Sequence, residues 1–269
     1  VPNRFTYYGQ QIDPITQQYY LRARFYNPVI GRFTQEDTYR GDGLNLYAYC
    51  ANNPSNYIDP TGYACLKDTY EKILEKNPDL SPQEAYQKAL NETFAKFNLP
   101  ENMNQQFVYT RGYDAHPISS TDAKRYAQTP SKSKNGQWVD TETGRKGPEL
   151  RGDAVFETSD PRVQWILEAH NLNGVTYKNG IPDFSIFAVG EVKIDNMSSL
   201  PRPNYTAADE ALASILGVSS RDIYLWRTNN NFTWHELNDA TTMQLVPTAI
   251  NTPIFGHLGG RSELRRNGG

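Results

Sequence analysis

The sequence predicts an α+β fold, in which β-hairpins are followed by a mixed helical region. The first part of the 269-residue chain is dense in aromatic residues and turn formers. Capped helical segments begin after about residue 65, and a strand-turn-strand pattern returns near the C-terminus. A hydrophobic content of 38% supports a buried core. We therefore expect three regions, 1–63, 64–155 and 156–269.

The first region, residues 1–63, has the pattern of β-hairpins. Between Tyr19 and Tyr26 alternate residues differ in character, which predicts a strand with two different faces. Asp13-Pro14, Asn27-Pro28 and Gly31 predict turns around it. A segment of this size offers little core of its own, so we expect it to be part of a larger sheet.

This region also resembles a known family. The stretches "RARFYNPVIGRF", "GLNLYAYCANNP" and "DPTGY" occur in the order found at the end of the Rhs (YD-repeat) associated core. The resemblance covers roughly residues 5–63. It implies that these residues form the end of a β-shell, that the rest of the shell is a partner of this chain, and that a variable toxin follows the shell. It also implies self-cleavage between Tyr63 and Ala64, although many relatives have Leu at the position of Tyr63.

The cleavage chemistry implied by this resemblance is that of two carboxylates that share a proton. Asp37 and Asp59 are the candidates. Asp59 precedes a proline, however, so it could simply begin a turn.

The second region, residues 64–155, contains one clear helix. Ser81 is its predicted N-cap, Pro82 its first residue and Glu84 the partner in a capping box. Residues 128–152 are polar and rich in Gly, Ser and Pro, which predicts a loop or linker. The region could pack on the last domain, assist translocation or connect to the shell.

The third region, residues 156–269, begins with helices and ends with a hairpin. A helix follows the predicted N-cap Asp160, and two further helices join at Gly217. Residues 232–237 and 242–247 are predicted strands, followed by a loop with at most one helical turn.

This last hairpin carries residues suited to phosphodiester hydrolysis, which needs a base, a divalent cation and ligands that leave coordination positions open. A ββα-metal motif provides them compactly. The pattern "TWHELND..TMQLVP..IN....GHLGG" resembles the Trp-His-His branch of the HNH/endonuclease VII superfamily, found as toxin tips on Rhs proteins. The resemblance runs from about Gly174 to Arg266. In this chain Glu236 occupies the position where the signature usually has its second histidine, and Asn251 occupies a position where many members have His.

The resemblance implies a role for each of four residues. His235 is the candidate general base, Glu236 and His257 are candidate ligands of a divalent ion, and Asn251 either ligates the ion or orients His235. Because neighbouring strand residues point to opposite faces, the roles of His235 and Glu236 could be exchanged. The expected cofactor is Mg²⁺ or Mn²⁺, with Zn²⁺ as an alternative.

Other polar residues are secondary candidates. Glu191 and Asp183 could be accessory ligands, or could serve in a strand edge and a turn. Basic side chains are expected to contact phosphate: Arg261, Arg265 and Arg266, to which Arg202 and Arg227 could be added. The three arginines of the tail would equally suit a solvated helix end.

The composition excludes some classes of protein. A formal net charge of -3 gives no overall attraction to nucleic acid, so any contact requires a local basic patch. The two cysteines, Cys50 and Cys65, form neither a disulfide framework nor a Cys-x-x-Cys site. No run approaches the roughly 20 apolar residues of a membrane span.

The resemblances together imply a secreted toxin effector, delivered into a target cell, that cuts nucleic acid in its cytoplasm. DNA is the favoured substrate over RNA, and a cognate immunity protein is an expected partner. Two alternatives remain open: a non-catalytic binding or adhesion tip, and a chain whose only activity is the self-cleaving aspartyl protease.

Overall fold

A computed structural model gives the fold. It describes residues 11–21, 24–36, 47, 49, 65–116, 120–131 and 136–267. Helices and antiparallel sheets are both present, as the α+β prediction requires. No helix among the described residues combines the length and the apolar character that a membrane crossing demands.

Among the residues that the structure describes, the N-terminal sheet has four short strands in sequential antiparallel order. They are β1 (Gln11–Ile12), β2 (Tyr19–Tyr20), β3 (Phe25–Asn27) and β4 (Arg32–Phe33). The predicted single strand between Tyr19 and Tyr26 was wrong, because the chain turns back and pairs Tyr20 with Phe25. Leu21 and Arg24 flank the reversal and are both buried, and the Leu21 N–H donates to the carbonyl oxygen of Arg24. The predicted turns at Asp13, Asn27 and Gly31 are confirmed.

Two helices follow, α1 (Leu66–Lys76) and α2 (Pro82–Ala95). The predicted capping box of α2 is confirmed: Ser81 accepts the backbone N–H of Glu84, and Glu84 accepts the backbone N–H of Ser81. A short helix, α3 (Asp122–Gln128), comes later in this region.

A second antiparallel sheet contains four strands. They are β5 (Gly136–Val139), β6 (Val155–Thr158), β7 (Gly174–Lys178) and β8 (Ile181–Pro182), with α4 (Pro161–Ala169) between β6 and β7. The prediction of a loop or linker over 128–152 was wrong at β5. Trp138 is buried there and pairs with Phe156, and one large aromatic side chain outweighs the polar composition around it.

The C-terminal part forms a third sheet of three strands in the order β10-β11-β9. These strands are β9 (Gly190–Lys193), β10 (Phe232–Glu236) and β11 (Thr242–Pro247). The helices α5 (Pro201–Leu216) and α6 (Ser220–Asn229) lie between β9 and β10 in sequence, and α7 (Gly260–Asn267) is the last element among the described residues. Gly217 joins α5 to α6 at φ +67°, which confirms the predicted junction.

Two hydrophobic cores enclose the third sheet. The first joins α1 and α2 to one face of the sheet, through residues such as Phe94, Trp226 and Trp234. The second joins the β5–β8 sheet to Val246 and Phe255. Regions 64–155 and 156–269 therefore contribute to the same cores, and the C-terminal hairpin lies where those cores meet.

Candidate active site

The β10–β11 hairpin places the predicted residues His235 and Glu236 on opposite sides of a sheet. His235 pairs with Gln244 of β11, and Glu236 pairs with Met243. The turn between the strands is fixed by Asp239, whose carboxylate accepts the backbone N–H of Thr241 and Thr242. Both predicted strands and their turn are confirmed.

One face of the hairpin brings His235 together with His257 and Asn251. The two imidazole rings lie 4.9 Å apart between centroids, and the Asn251 side chain hydrogen-bonds His235. Phe184 packs edge-on against both rings, at 4.9 Å from His235 and 5.3 Å from His257. His257 lies in the loop before α7 rather than on the helix.

Both imidazoles favour the neutral form. Burial lowers the pKa of His235 well below its usual range; the nearby His257 lowers it further, while the hydrogen bond with Asn251 raises it. Burial also lowers the pKa of His257. The Nδ1 of His257 lies 2.9 Å from the carbonyl oxygen of Phe255. Because a carbonyl can only accept, Nδ1 carries the hydrogen and Nε2 keeps its lone pair.

Glu236 lies in different surroundings, between the sheet and the starts of two helices. Glu236 is buried, and its Oε1 has no hydrogen-bond partner in the part of the chain that the structure describes. The Nη1 of Arg261 lies 4.0 Å from that oxygen. Burial raises the pKa of Glu236, although Arg261 and a hydrogen bond from Asn204 lower it. The structure therefore groups His235, Asn251 and His257, and separates the side chain of Glu236 from them.

The paired glycines after His257 let the chain pass close to the end of β10. A Cβ on Gly260 would lie 2.1 Å from the carbonyl oxygen of Leu237. A Cβ on Gly259 would lie 3.3 Å from the carbonyl oxygen of Glu236 and 3.6 Å from Nε2 of His257. The sequence "GG" thus brings the start of α7 against the end of β10.

A polar row crosses the sheet beside His235, and of its members only Glu191 and His235 were among the predicted candidates. Gln244 on β11 pairs with His235 on one side and with Glu191 of β9 on the other. Thr110 donates to the Glu191 carboxylate through its backbone N–H and its hydroxyl, each at 2.7 Å. Thr110 is distant in sequence and lies in a segment without a motif, so no local signal could have identified it.

The other face carries a buried ion pair that was also missed. Arg227 donates to Asp209 through Nε at 2.8 Å and Nη2 at 2.9 Å, and the Trp234 indole donates to the same carboxylate at 2.8 Å. The prediction that Arg227 contacts phosphate was wrong, because its side chain is buried and held by Asp209.

The remaining predicted residues are spread out. Arg261 is one-third exposed at the start of α7. Arg265 and Arg266 lie on the same helix, with side chains outside the described residues. Asp183 accepts the backbone N–H of Ser185, as a turn residue does. The predicted cleavage residues Asp37, Asp59, Tyr63 and Ala64 all lie outside the described residues.

The donor set around His257 is compatible with a catalytic cation. Within the described part of the chain, no three His, Cys, Asp or Glu side chains come together as a metal-binding group. Two neutral imidazoles and one amide do converge, and a metal-binding histidine usually donates its other ring N–H to a carbonyl, as His257 does. Three protein ligands would leave positions open for water and substrate.

Comparison with known proteins points in the same direction. Residues 174–259 match the Colicin-DNase family, the DNase/tRNase domain of colicin-like bacteriocins. That match contains β7 to β11 and all four predicted catalytic residues. The chain therefore carries a region similar to a bacteriocin nuclease domain.

Curated relatives match over shorter stretches. The tRNA nuclease WapA of Bacillus subtilis is 46% identical over 66 residues, which is 23% of this chain and 3% of WapA. The toxin protein Tse5 of Pseudomonas aeruginosa is 44% identical over 62 residues, 23% of this chain and 5% of Tse5. The double-stranded DNA deaminase toxin A of Burkholderia cenocepacia is 42% identical over 64 residues, 23% of this chain and 4% of that toxin. The chain thus covers only a small part of these relatives' length. No solved structure matches it.

Proposed function

We propose that this protein is a nuclease toxin that hydrolyses phosphodiester bonds of nucleic acid with the help of a divalent cation. The observation that carries the proposal is the convergence of His235, Asn251 and His257 on one face of a hairpin, within the stretch that matches a bacteriocin nuclease family.

The cation would be held by His235, His257 and the amide oxygen of Asn251. The lowered pKa values keep both imidazoles neutral, as ligands must be. When bound there, a divalent cation stabilises negative charge on the scissile phosphate and makes bound water more acidic. Two imidazoles suit Mn²⁺ or Zn²⁺ better than Mg²⁺, which prefers oxygen ligands.

Glu236 is then the group that accepts the proton of the attacking water, provided that this water lies at the edge of the sheet, where the two faces of β10 meet. A general base works best when its pKa is near the working pH. Burial moves the pKa of Glu236 towards neutrality and the pKa of His235 away from it. Oε1 of Glu236 has no hydrogen-bond partner among the described residues, and β10 is an edge strand there, so the carboxylate lies beside the edge of the sheet. This arrangement exchanges the roles that the sequence first suggested for His235 and Glu236.

Binding of manganese distinguishes the two assignments. In the exchanged arrangement, calorimetric titration with Mn²⁺ loses its binding heat in His235→Ala, while Glu236→Gln retains binding and loses hydrolysis. The opposite result would restore His235 as the base and Glu236 as the ligand.

Arg261, Arg265 and Arg266 would contact the phosphates that flank the cleaved bond, because α7 starts beside Glu236. Binding through these residues should weaken as salt increases.

DNA is the proposed substrate and tRNA the competing one. The matched family covers both kinds of nuclease. The curated relatives give no further guidance, because they include tRNA nucleases and a DNA deaminase at similar match lengths. The stretch that they share with this chain therefore does not specify the substrate.

The N-terminal region would be the end of an Rhs core that releases the toxin after Tyr63, with Asp37 and Asp59 as the cleaving pair. The toxin would be delivered into the cytoplasm of a target cell, and the producing cell would carry an immunity protein. Intact mass after expression tests the cut: a fragment beginning at Ala64 supports it, and an uncut chain in both wild type and Asp59→Asn refutes it.

The nuclease proposal is tested by incubating the 269-residue chain with plasmid DNA and with bulk tRNA, in Mn²⁺, Mg²⁺, Zn²⁺ or EDTA. We expect metal-dependent cleavage that His257→Ala abolishes. His116→Ala is the matched control, because His116 is exposed. Absence of cleavage under every metal would favour the binding-tip alternative.

A further inference from the structure

Two exposed cations share one tyrosine ring on the surface of the protein. The guanidinium carbon of Arg111 lies 5.2 Å from the centroid of the Tyr113 ring, and Nζ of Lys178 lies 5.7 Å from the same centroid. Arg111 belongs to the segment between α2 and α3, and Lys178 is the last residue of β7, so two distant parts of the chain bring their charges together. Arg111, Tyr113 and Lys178 are called the Tyr113 patch below.

The segment that carries the patch is fixed against β8. A short 3₁₀ turn, Gly112–Asp114, holds the tyrosine, whose side chain is half-buried. A Cβ on Gly112 would lie 2.0 Å from the carbonyl oxygen of Pro182, so only glycine allows the chain to approach β8 this closely. The backbone packing therefore sets the position of the patch before any ligand binds.

The same segment starts on the face of the third sheet that carries His235. The carbonyl oxygen of Thr110, the residue before Arg111, accepts a hydrogen bond from Nε2 of Gln244 at 2.6 Å. Gln244 is the cross-strand partner of His235, so both belong to one face of the sheet. Thr110 also donates to Glu191 of β9. The segment thus starts one strand and one side chain away from His235, on the β9 side, whereas α7 starts at the end of β10.

A polyanion requires a local cluster of this kind, because the chain as a whole has a formal net charge of -3. Arg111 and Lys178 carry two positive charges, and Asp114 offsets one of them by accepting a hydrogen bond from Nε of Arg111 at 2.7 Å. One net positive charge remains, on side chains that are exposed to solvent. Arginine and lysine are the side chains that most often contact phosphates, the arginine as a planar fork and the lysine as a point charge.

We propose that the Tyr113 patch binds the phosphate backbone of the nucleic-acid substrate on the β9 side of the candidate active site. The inference rests on the proposed nuclease function for the identity of its ligand. Arg111 and Lys178 each contact a phosphate, and Tyr113 supports both cations. Such contacts fix the position and register of a nucleic acid without reading its sequence.

The proposal gives the region before the matched stretch 174–259 a role in substrate binding. Arg111 and Tyr113 lie in region 64–155, and Lys178 lies in the matched stretch. The substrate would then be held from both sides of His235, by α7 at the end of β10 and by the Tyr113 patch beside β9.

The test measures binding without cleavage. The 269-residue chain is titrated in EDTA against a short fluorescent DNA duplex and, separately, against fluorescent tRNA, and anisotropy gives Kd over a series of salt concentrations. Arg111→Ala and Lys178→Ala should each weaken binding up to about fivefold at low salt, the range of an exposed ion pair. Each should also reduce the slope of log Kd against log salt concentration by about 0.9, because one phosphate contact is lost.

A substitution of opposite sign and a matched control complete the design. Asp114→Asn should strengthen binding, because it removes the negative charge that competes with phosphate for Arg111. Lys88→Ala removes the same charge as Lys178→Ala, but Lys88 is exposed on α2, which packs on the other face of the third sheet. It should leave the salt slope unchanged. All four positions are exposed, so folding should be unaffected, which the Tm of each variant checks.

The outcomes separate this proposal from the proposed function. A wild type that binds nucleic acid while Arg111→Ala and Lys178→Ala keep its Kd and salt slope would overturn the role of the patch and leave the nuclease proposal standing. Equal losses in Lys178→Ala and Lys88→Ala would also overturn it, because only the total charge would then matter. A wild type that binds neither DNA nor tRNA would refute the proposed function itself.

Discussion

The buried Asp209–Arg227 pair allows a quantitative prediction about the support of the active strand. Asp209→Ala would remove the acceptor of three short hydrogen bonds, two from Arg227 and one from the Trp234 indole. The side chains of Asp209 and Arg227 are only 7% and 10% exposed, so water cannot replace the lost carboxylate. Cation-π contacts with Tyr205 and Tyr224 remain, but they do not neutralise the charge.

Removing one partner of a buried ion pair costs about 3–5 kcal/mol, because the other charge stays buried and unpaired. For a chain of this size, a loss of about 3 kcal/mol lowers Tm by roughly 6–12 °C. The assay is thermal unfolding followed by near-ultraviolet circular dichroism, which reports on Trp234 and Trp226 in the adjoining core.

The neighbouring residue provides a matched control. Glu210 is exposed on the same helix, and Glu210→Ala should change stability by less than about 0.5 kcal/mol. Replacing both partners, with Asp209→Leu and Arg227→Met, should recover most of the loss because no charge is left buried. A Tm for Asp209→Ala within about 2 °C of the wild type would refute the reasoning.

Three further effects are expected. Gly260→Ala should destabilise the chain by about 1–3 kcal/mol and reduce cleavage, since its Cβ would lie 2.1 Å from the Leu237 carbonyl oxygen; unchanged urea midpoints would contradict this. Burial raises the pKa of Asp239, but hydrogen bonds from Thr242 and Thr241 outweigh it, and the net pKa is lowered. The stability advantage of wild type over Asp239→Asn should therefore be constant above about pH 5 and shrink as the pH falls below about 3.9. A difference in unfolding free energy that stays constant from pH 7 to 3 would contradict this expectation. Addition of EDTA should abolish cleavage, and Mn²⁺ should restore it; activity that persists in EDTA would contradict a cation held by His235 and His257.

Local sequence signals predicted the elements that short-range chemistry determines. The capping box at Ser81, the N-cap Asp160 and the glycine junction at Gly217 all lie within a few residues of the helix ends that they define. The hairpin that carries the site was also predictable, because its alternation and turn are contiguous.

Long-range partners could not be predicted in this way. The hydrogen bonds from Thr110 to Glu191 join residues 81 positions apart, and neither side chain lies in a motif that names the other. Strand β5 was hidden because a single tryptophan, Trp138, provides most of its burial. The alternation of strand residues already places His235 and Glu236 on opposite faces, but which of the two faces His257 joins depends on how the loop before α7 packs, and spacing in the sequence does not contain that information.

The most direct test of the account is cleavage of plasmid DNA and bulk tRNA by the 269-residue chain with Mn²⁺, compared with His257→Ala and with His116→Ala. The account predicts cleavage by the wild type and by His116→Ala, and loss of cleavage in His257→Ala and in EDTA. Equal activity of the two histidine variants, or no cleavage by the wild type with any divalent cation, would contradict the assignment of this hairpin as a nuclease site.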